Sequence, residues 1–130
     1  MSVNDLFAIA GVVIFLAAAV TISFKPSEGA HDSWRMPALF ALSFLVFTVV
    51  AVAFEGPFGF WKDHVASFWG NQIWFDLLLA IGTAWYLLVP RMRRLGMQPL
   101  PWLVFIICTG SIGLLATVAR YAYLEARAAS

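Results

Sequence analysis

Apolar residues in this chain come in long unbroken runs, with no alternation and no regular polar face. Residues 6–24 carry no charge, nor do residues 36–54, where Pro37 falls in the first turn and its missing N–H costs nothing. Residues 73–90 are interrupted only by Asp76, and residues 100–124 stay uncharged until Arg120. The breaks between runs are polar or turn-forming: Lys25, Pro26, Ser27, Glu28 and Gly29; then Glu55, Gly56 and Pro57; then Arg91 through Gly96. A bilayer core about 30 Å thick takes roughly 20 residues at about 1.5 Å of rise each. Each run is close to that length. Open strands cannot cross lipid with unpaired backbone groups. The pattern therefore predicts an all-α, integral-membrane four-helix bundle, one transmembrane domain over residues 1–130, with helices at 6–24, 36–54, 73–90 and 100–124.

Composition points the same way. The chain is 62% hydrophobic and 12% charged, where an ordinary soluble domain is about 45–50% apolar and about 25% charged. A chain of 130 residues leaves too much surface wet to hide that surplus in a core of its own. Eight Lys and Arg against seven Asp and Glu provide no basic field for nucleic acid. A lone cysteine, Cys108, excludes an intrachain disulfide framework. His31 and His64 stand too far apart, with too few companions, for a metal site. No phosphate-binding loop, dinucleotide glycine pattern, nucleophile elbow or haem-attachment motif is present. The first run lacks the basic flank of a signal peptide and is expected to stay in place.

Basic residues set the expected orientation. The first and third connections hold Lys25, Arg35, Arg91, Arg93 and Arg94, whereas Lys62, Arg120 and Arg127 fall on the other side. The positive-inside rule then predicts both termini on the outer side of a cytoplasmic membrane of bacterial type. Arg91, Arg93 and Arg94 are expected to anchor at inner-leaflet phosphates. Between helices 2 and 3, Phe60, Trp61, His64, Val65, Phe68 and Trp69 recur at helical spacing. They suggest a short interfacial aromatic helix. Phe58, Phe60, Trp61, Phe68 and Trp69 serve either as an aromatic belt or as a lid or docking surface for another membrane protein.

Ionisable groups within spans are expensive, so each is a functional candidate. Asp76 lies one turn inside the third run and shares a face with Gln72 and Thr83. Antiparallel packing of the fourth helix would bring Arg120 to the same depth, giving an Asp76–Arg120 structural ion pair, with Glu55 and His64 near it. The competing reading makes Asp76 or Glu55 a protonated general acid in an apolar pocket. Burial would raise such a carboxyl's pKa, and a neighbouring arginine would lower it. Gly113 and Thr117, four apart, suit close helix packing.

The aromatic stretch at 58–69, then Asn71, Gln72 and Asp76, then Val89 through Met97, and a Gly110, Ser111, Ile112, Gly113 helix ending in Tyr123, Leu124 and Glu125 follow one another in a characteristic order. Over about residues 42–126 this order resembles a family of short bacterial membrane proteins catalogued as a domain of unknown function. Some of its members are labelled terpene-cyclase-like. The resemblance implies a pocket for an isoprenoid or carotenoid lipid, with carboxylates as proton donors. Two functional classes follow. One is an accessory or scaffold subunit that packs against a larger membrane complex, or against copies of itself, with no cofactor. The other is a small cyclase- or isomerase-type enzyme, or a binding protein, for an isoprenoid or carotenoid.

Overall fold

A computed structural model describes residues 2–24 and 33–128; Lys25 and His31 lie outside the described residues. Among those residues the protein is all-helical: α1 (Val3–Phe24), α2 (Arg35–Glu55), α3 (Gly59–Val65), α4 (Phe68–Arg94), α5 (Pro99–Thr109) and α6 (Ser111–Ala128). Three of these, α1, α2 and α4, are long and apolar enough to cross a membrane. At about 1.5 Å per residue they measure roughly 33, 31 and 40 Å. Contacts divide the chain into two units, residues 1–30 and 31–130.

The first unit is α1, which buries no residue. Its N-terminus is closed by a reciprocal pair: the Ser2 N–H donates to the Asp5 carboxylate at 2.6 Å and the Asp5 N–H donates to Ser2 Oγ at 3.1 Å. Two backbone donors that no helix turn can satisfy are met in this way. Further along, the hydroxyls of Thr21 and Ser23 donate back to the carbonyls of Ala17 and Ala19. Both polar side chains thus sit in an apolar helix without an unmet donor.

In the second unit, α2, α4 and α5 all pack on α6, and α3 packs on α4. The third predicted run is longer than the hydrophobic pattern suggested. Helix α4 starts at Phe68, where the Ser67 hydroxyl accepts from the Gly70 N–H at 3.0 Å as an N-cap. It then continues through Pro90 to Arg94. Proline removes one donor, yet the helix survives that loss and stops where glycine allows a left-handed residue. Gly96 has φ +73°; its N–H donates to the Arg93 carbonyl, and the Met97 N–H donates to that of Met92 at 3.0 Å. This is a Schellman ending, and the side chains of Met92 and Met97 that flank it are both buried together with Leu88.

The expected helix over 100–124 is instead two helices. Gly110, at φ +60° and ψ −126°, occupies backbone that side-chain-bearing residues rarely adopt, and the chain turns back there. A methyl group on Gly113 would lie 2.8 Å from the Ile106 Cα. In one straight helix those residues would stand about 10 Å apart along the axis. Likewise Trp102 and Leu124 both pack on the Leu88, Met92 and Met97 cluster, whereas a continuous helix would separate them by about 33 Å. The segment is therefore a helical hairpin, with α5 spanning about 16 Å and α6 about 27 Å. Gly113 and Thr117 lie buried on the inner face of α6, as their spacing predicted, and the Thr117 hydroxyl donates to the Gly113 carbonyl at 2.7 Å.

Candidate functional site

The hairpin decides where the charged groups go. Tyr123 on α6 meets Trp34, just before α2, edge-on at 5.9 Å. The guanidiniums of Arg120 and Arg127, one turn to either side, both lie over the Tyr123 ring at 5.7 Å. Arg35 lies over Trp34 at 6.0 Å. These are cation–π distances. Tyr121 and Leu124 pack on the last turns of α4. The Tyr121 hydroxyl donates to the Glu125 carboxylate at 2.5 Å. Burial pushes the Tyr121 phenol above its ordinary pKa, and the Glu125 bond adds to the rise; the guanidiniums of Arg91 and Arg94 pull it back. The C-terminal half of α6 thus lies against the start of α2 and the end of α4, and Arg35, Arg91, Arg94, Arg120 and Arg127 gather around it.

Aromatic residues gather at the opposite end of α2 and α4. The short aromatic helix expected between the second and third spans is α3, carrying Phe60, Trp61, His64 and Val65. Phe68 and Trp69 belong instead to the first turn of α4. Trp74 of α4 is flanked by Phe60 at 6.1 Å, Trp61 at 6.4 Å and His64 at 4.9 Å. His64 Nδ1 bonds the Phe60 carbonyl at 2.5 Å. Gly70 permits the close approach of α3: a methyl group there would run into the carbonyl oxygens of Asp63 and His64. Phe58, Phe60, Trp61, Phe68 and Trp69 all remain exposed.

Asp76 is exposed on α4, on the face it shares with Gln72 and Thr83. It lines a shallow recess with Phe68, Asn71, Gln72, Phe75 and Leu79, all of them α4 residues. The structure does not bring Asp76 and Arg120 together, because the turn at Gly110 carries Arg120 to the arginine end. Glu55 closes α2, its Cβ against Gly59, and is absent from the walls of the Asp76 recess. Cys108 is exposed on α5, one residue before its end. No cluster of three His, Cys, Asp or Glu side chains that could hold a metal occurs among the described residues. Trp34, Tyr121 and Tyr123 organise the arginine end; Trp34 and Tyr121 were not singled out from the sequence, and Tyr123 entered only in the order of motifs. The available signal was the pairing of Tyr121 with Glu125 and Tyr123 with Arg127 at helical i, i+4 spacing.

Comparison with family models, curated proteins and solved structures finds no match for this chain. The kinship suggested over residues 42–126 therefore rests on the order of its motifs alone.

Proposed function

We propose that this protein is a small multi-pass subunit of the cytoplasmic membrane that packs against another membrane-protein subunit through the outer half of α4. The observation that carries this reading is the row of Asn71, Gln72 and Asp76 on an exposed, otherwise apolar helix face. The Asn71 amide already donates to the Ser67 carbonyl at 3.2 Å, but facing acyl chains the Asp76 carboxyl and the Gln72 amide would forfeit hydrogen bonds worth several kcal/mol. Facing a neighbouring helix that offers donors, they become the polar part of an interface. Phe68 and Trp69, exposed at the mouth of the same face, extend the contact as amphipathic anchors.

Native purification from membranes at natural abundance, followed by mass analysis, tests the reading. A partner is expected in fixed stoichiometry, retained by Asp76→Asn and lost with Asp76→Leu. The alternative, an enzyme or binding protein for an isoprenoid or carotenoid with Glu55 and Asp76 as acids, predicts a different pattern. The chain would then travel without a partner and carry a prenyl lipid, and Asp76→Asn would end turnover without disturbing the fold.

The orientation that goes with this reading has α1, α2 and α4 crossing the bilayer, the arginine end in the cytoplasm, and α5–α6 as a re-entrant hairpin that does not reach the outer side. It replaces the outward C-terminus expected from four full spans. Support comes from charge: Arg35, Arg91, Arg93, Arg94, Arg120 and Arg127 fall at one end, against Lys62 at the other. Non-helical backbone within a bilayer needs protein around it. The Gly110 turn has that cover from buried Ile106, Ile112 and Gly113. In a Cys108→Ser background, Gln98→Cys and Ala128→Cys should react with an impermeant maleimide from the same side, and Ala66→Cys from the other. Labelling of Ala128→Cys from the Ala66→Cys side would restore four full spans.

A further inference from the structure

The end of α4 and the start of α5 do not close on one another. Between them lies a groove of about 300 Å³ lined by Trp85, Val89, Arg93, Pro99, Leu100 and Leu103. Five of its six lining residues are apolar, and the sixth is a guanidinium at the level where α4 ends. Arg91 and Arg94 share the last turn of the helix with Arg93 and raise the positive charge of this end. Glu125, a carboxylate at this end among the described residues, is engaged by the Tyr121 hydroxyl. The groove is thus apolar along its length and cationic at its rim, and none of the described acidic residues lines it.

An amphiphile with the same division of character fits such a groove. We propose that it seats one anionic phospholipid, with the phosphate paired to Arg93 and an acyl chain lying along Trp85, Val89, Leu100 and Leu103. A zwitterionic lipid offers the same chain, but its own cation offsets the attraction of the arginines. A soluble phosphate offers the charge but leaves the apolar walls unfilled. Arginine suits the role because its planar fork can hold two phosphate oxygens while its stem covers apolar surface. Basic pockets between helices on the cytoplasmic side are suited to lipid headgroups in general. The groove lies at the opposite end of α4 from the proposed partner face, so a lipid can bind there whether or not that face meets a partner.

The test is native mass spectrometry of the full chain released from nanodiscs that contain phosphatidylglycerol and phosphatidylcholine in equal amounts. The wild-type protein should retain one phosphatidylglycerol with about fivefold preference, the value of one basic contact at a membrane surface. Arg93→Gln should reduce that preference to near unity, and Lys62→Gln should leave it unchanged. Leu103→Trp fills the groove while keeping the charge, and should abolish retention of either lipid. Excess inorganic phosphate should not displace the bound lipid. Equal retention of both lipids by the wild type overturns the proposal. So does an unchanged preference in Arg93→Gln, or displacement by phosphate alone. Should Arg93→Gln fail to fold, raising salt on the wild-type protein discriminates equally well, because the preference must fall as the phosphate contact is screened. A preference that salt leaves unchanged overturns the proposal in that case.

Discussion

At the arginine end, Tyr123 is held edge-on by Trp34 and covered by two guanidiniums, and behind it Met92 and Thr117 are fully buried. At the other end, Trp74 is flanked by Phe60, Trp61 and His64, yet Phe68 and Trp69 remain 95% and 76% exposed. Both ends use aromatic rings near charged groups, as membrane interfaces do. Only the first is locked into a core of its own chain. In this protein aromatic content does not separate the two ends, and burial marks which contacts are internal. Contacts to Met92 hold the fold together, and contacts to Phe68 remain open to something else.

A matched pair of truncations puts the two ends to the most severe test. Met92→Ala empties a fully buried site and should cost about 2–5 kcal/mol, read as a lowered Tm of the protein in detergent. Phe68→Ala removes an exposed ring and should leave Tm within about 0.5 kcal/mol of wild type, while weakening partner retention in the native purification. Equal losses of Tm would mean that both ends are internal, and the assignment of the outer face of α4 to a partner would fail.

Glycines probe the same difference with a smaller effect. Gly113→Ala pushes a methyl group against the Ile106 backbone and should cost about 1–3 kcal/mol as overpacking. Gly82→Ala on α4 meets nothing within 4 Å and should be neutral or gain up to about 1 kcal/mol from helix propensity. A harmless Gly113→Ala, judged by thermal unfolding of both variants side by side, would mean that α5 and α6 do not meet closely at Gly110.

The helical class was legible because hydrophobic run length is dictated by bilayer thickness, and no alternation competes with it. So were the aromatic helix at Phe60, Trp61 and His64, the face shared by Gln72, Asp76 and Thr83, and the close packing of Gly113 and Thr117. The reversal at Gly110 was not. A glycine in an apolar run is compatible with a straight helix, with a close helix crossing, or with a left-handed turn, and hydropathy is blind to the difference. That single backbone choice moves Arg120 and Arg127 from one end of the molecule to the other, so the expected Asp76–Arg120 pair went with it. The end of α4 was misplaced for a related reason: Pro90 reads as a stop, but the stop is supplied by Gly96, where Met97 can fold back onto Met92.

The smallest effect concerns Tyr121, which lies on α6 outside the three candidate spans. Its phenol is held above the ordinary value near 10 by burial first and by the Glu125 bond second. A raised acid pKa means that the folded state keeps the proton longer than the unfolded chain does. The resulting stabilisation is fully present below the unfolded value of about 10 and is lost as pH rises through the higher folded value. Tyr121→Phe keeps the ring and removes the proton. The Tm difference between wild type and variant should therefore be constant from neutral pH to about pH 9 and should shrink beyond pH 10. A gap that persists unchanged to strongly alkaline pH would mean that the Glu125 contact does not depend on the phenolic proton. The arginine end would then owe its order to Tyr123 and its guanidiniums alone.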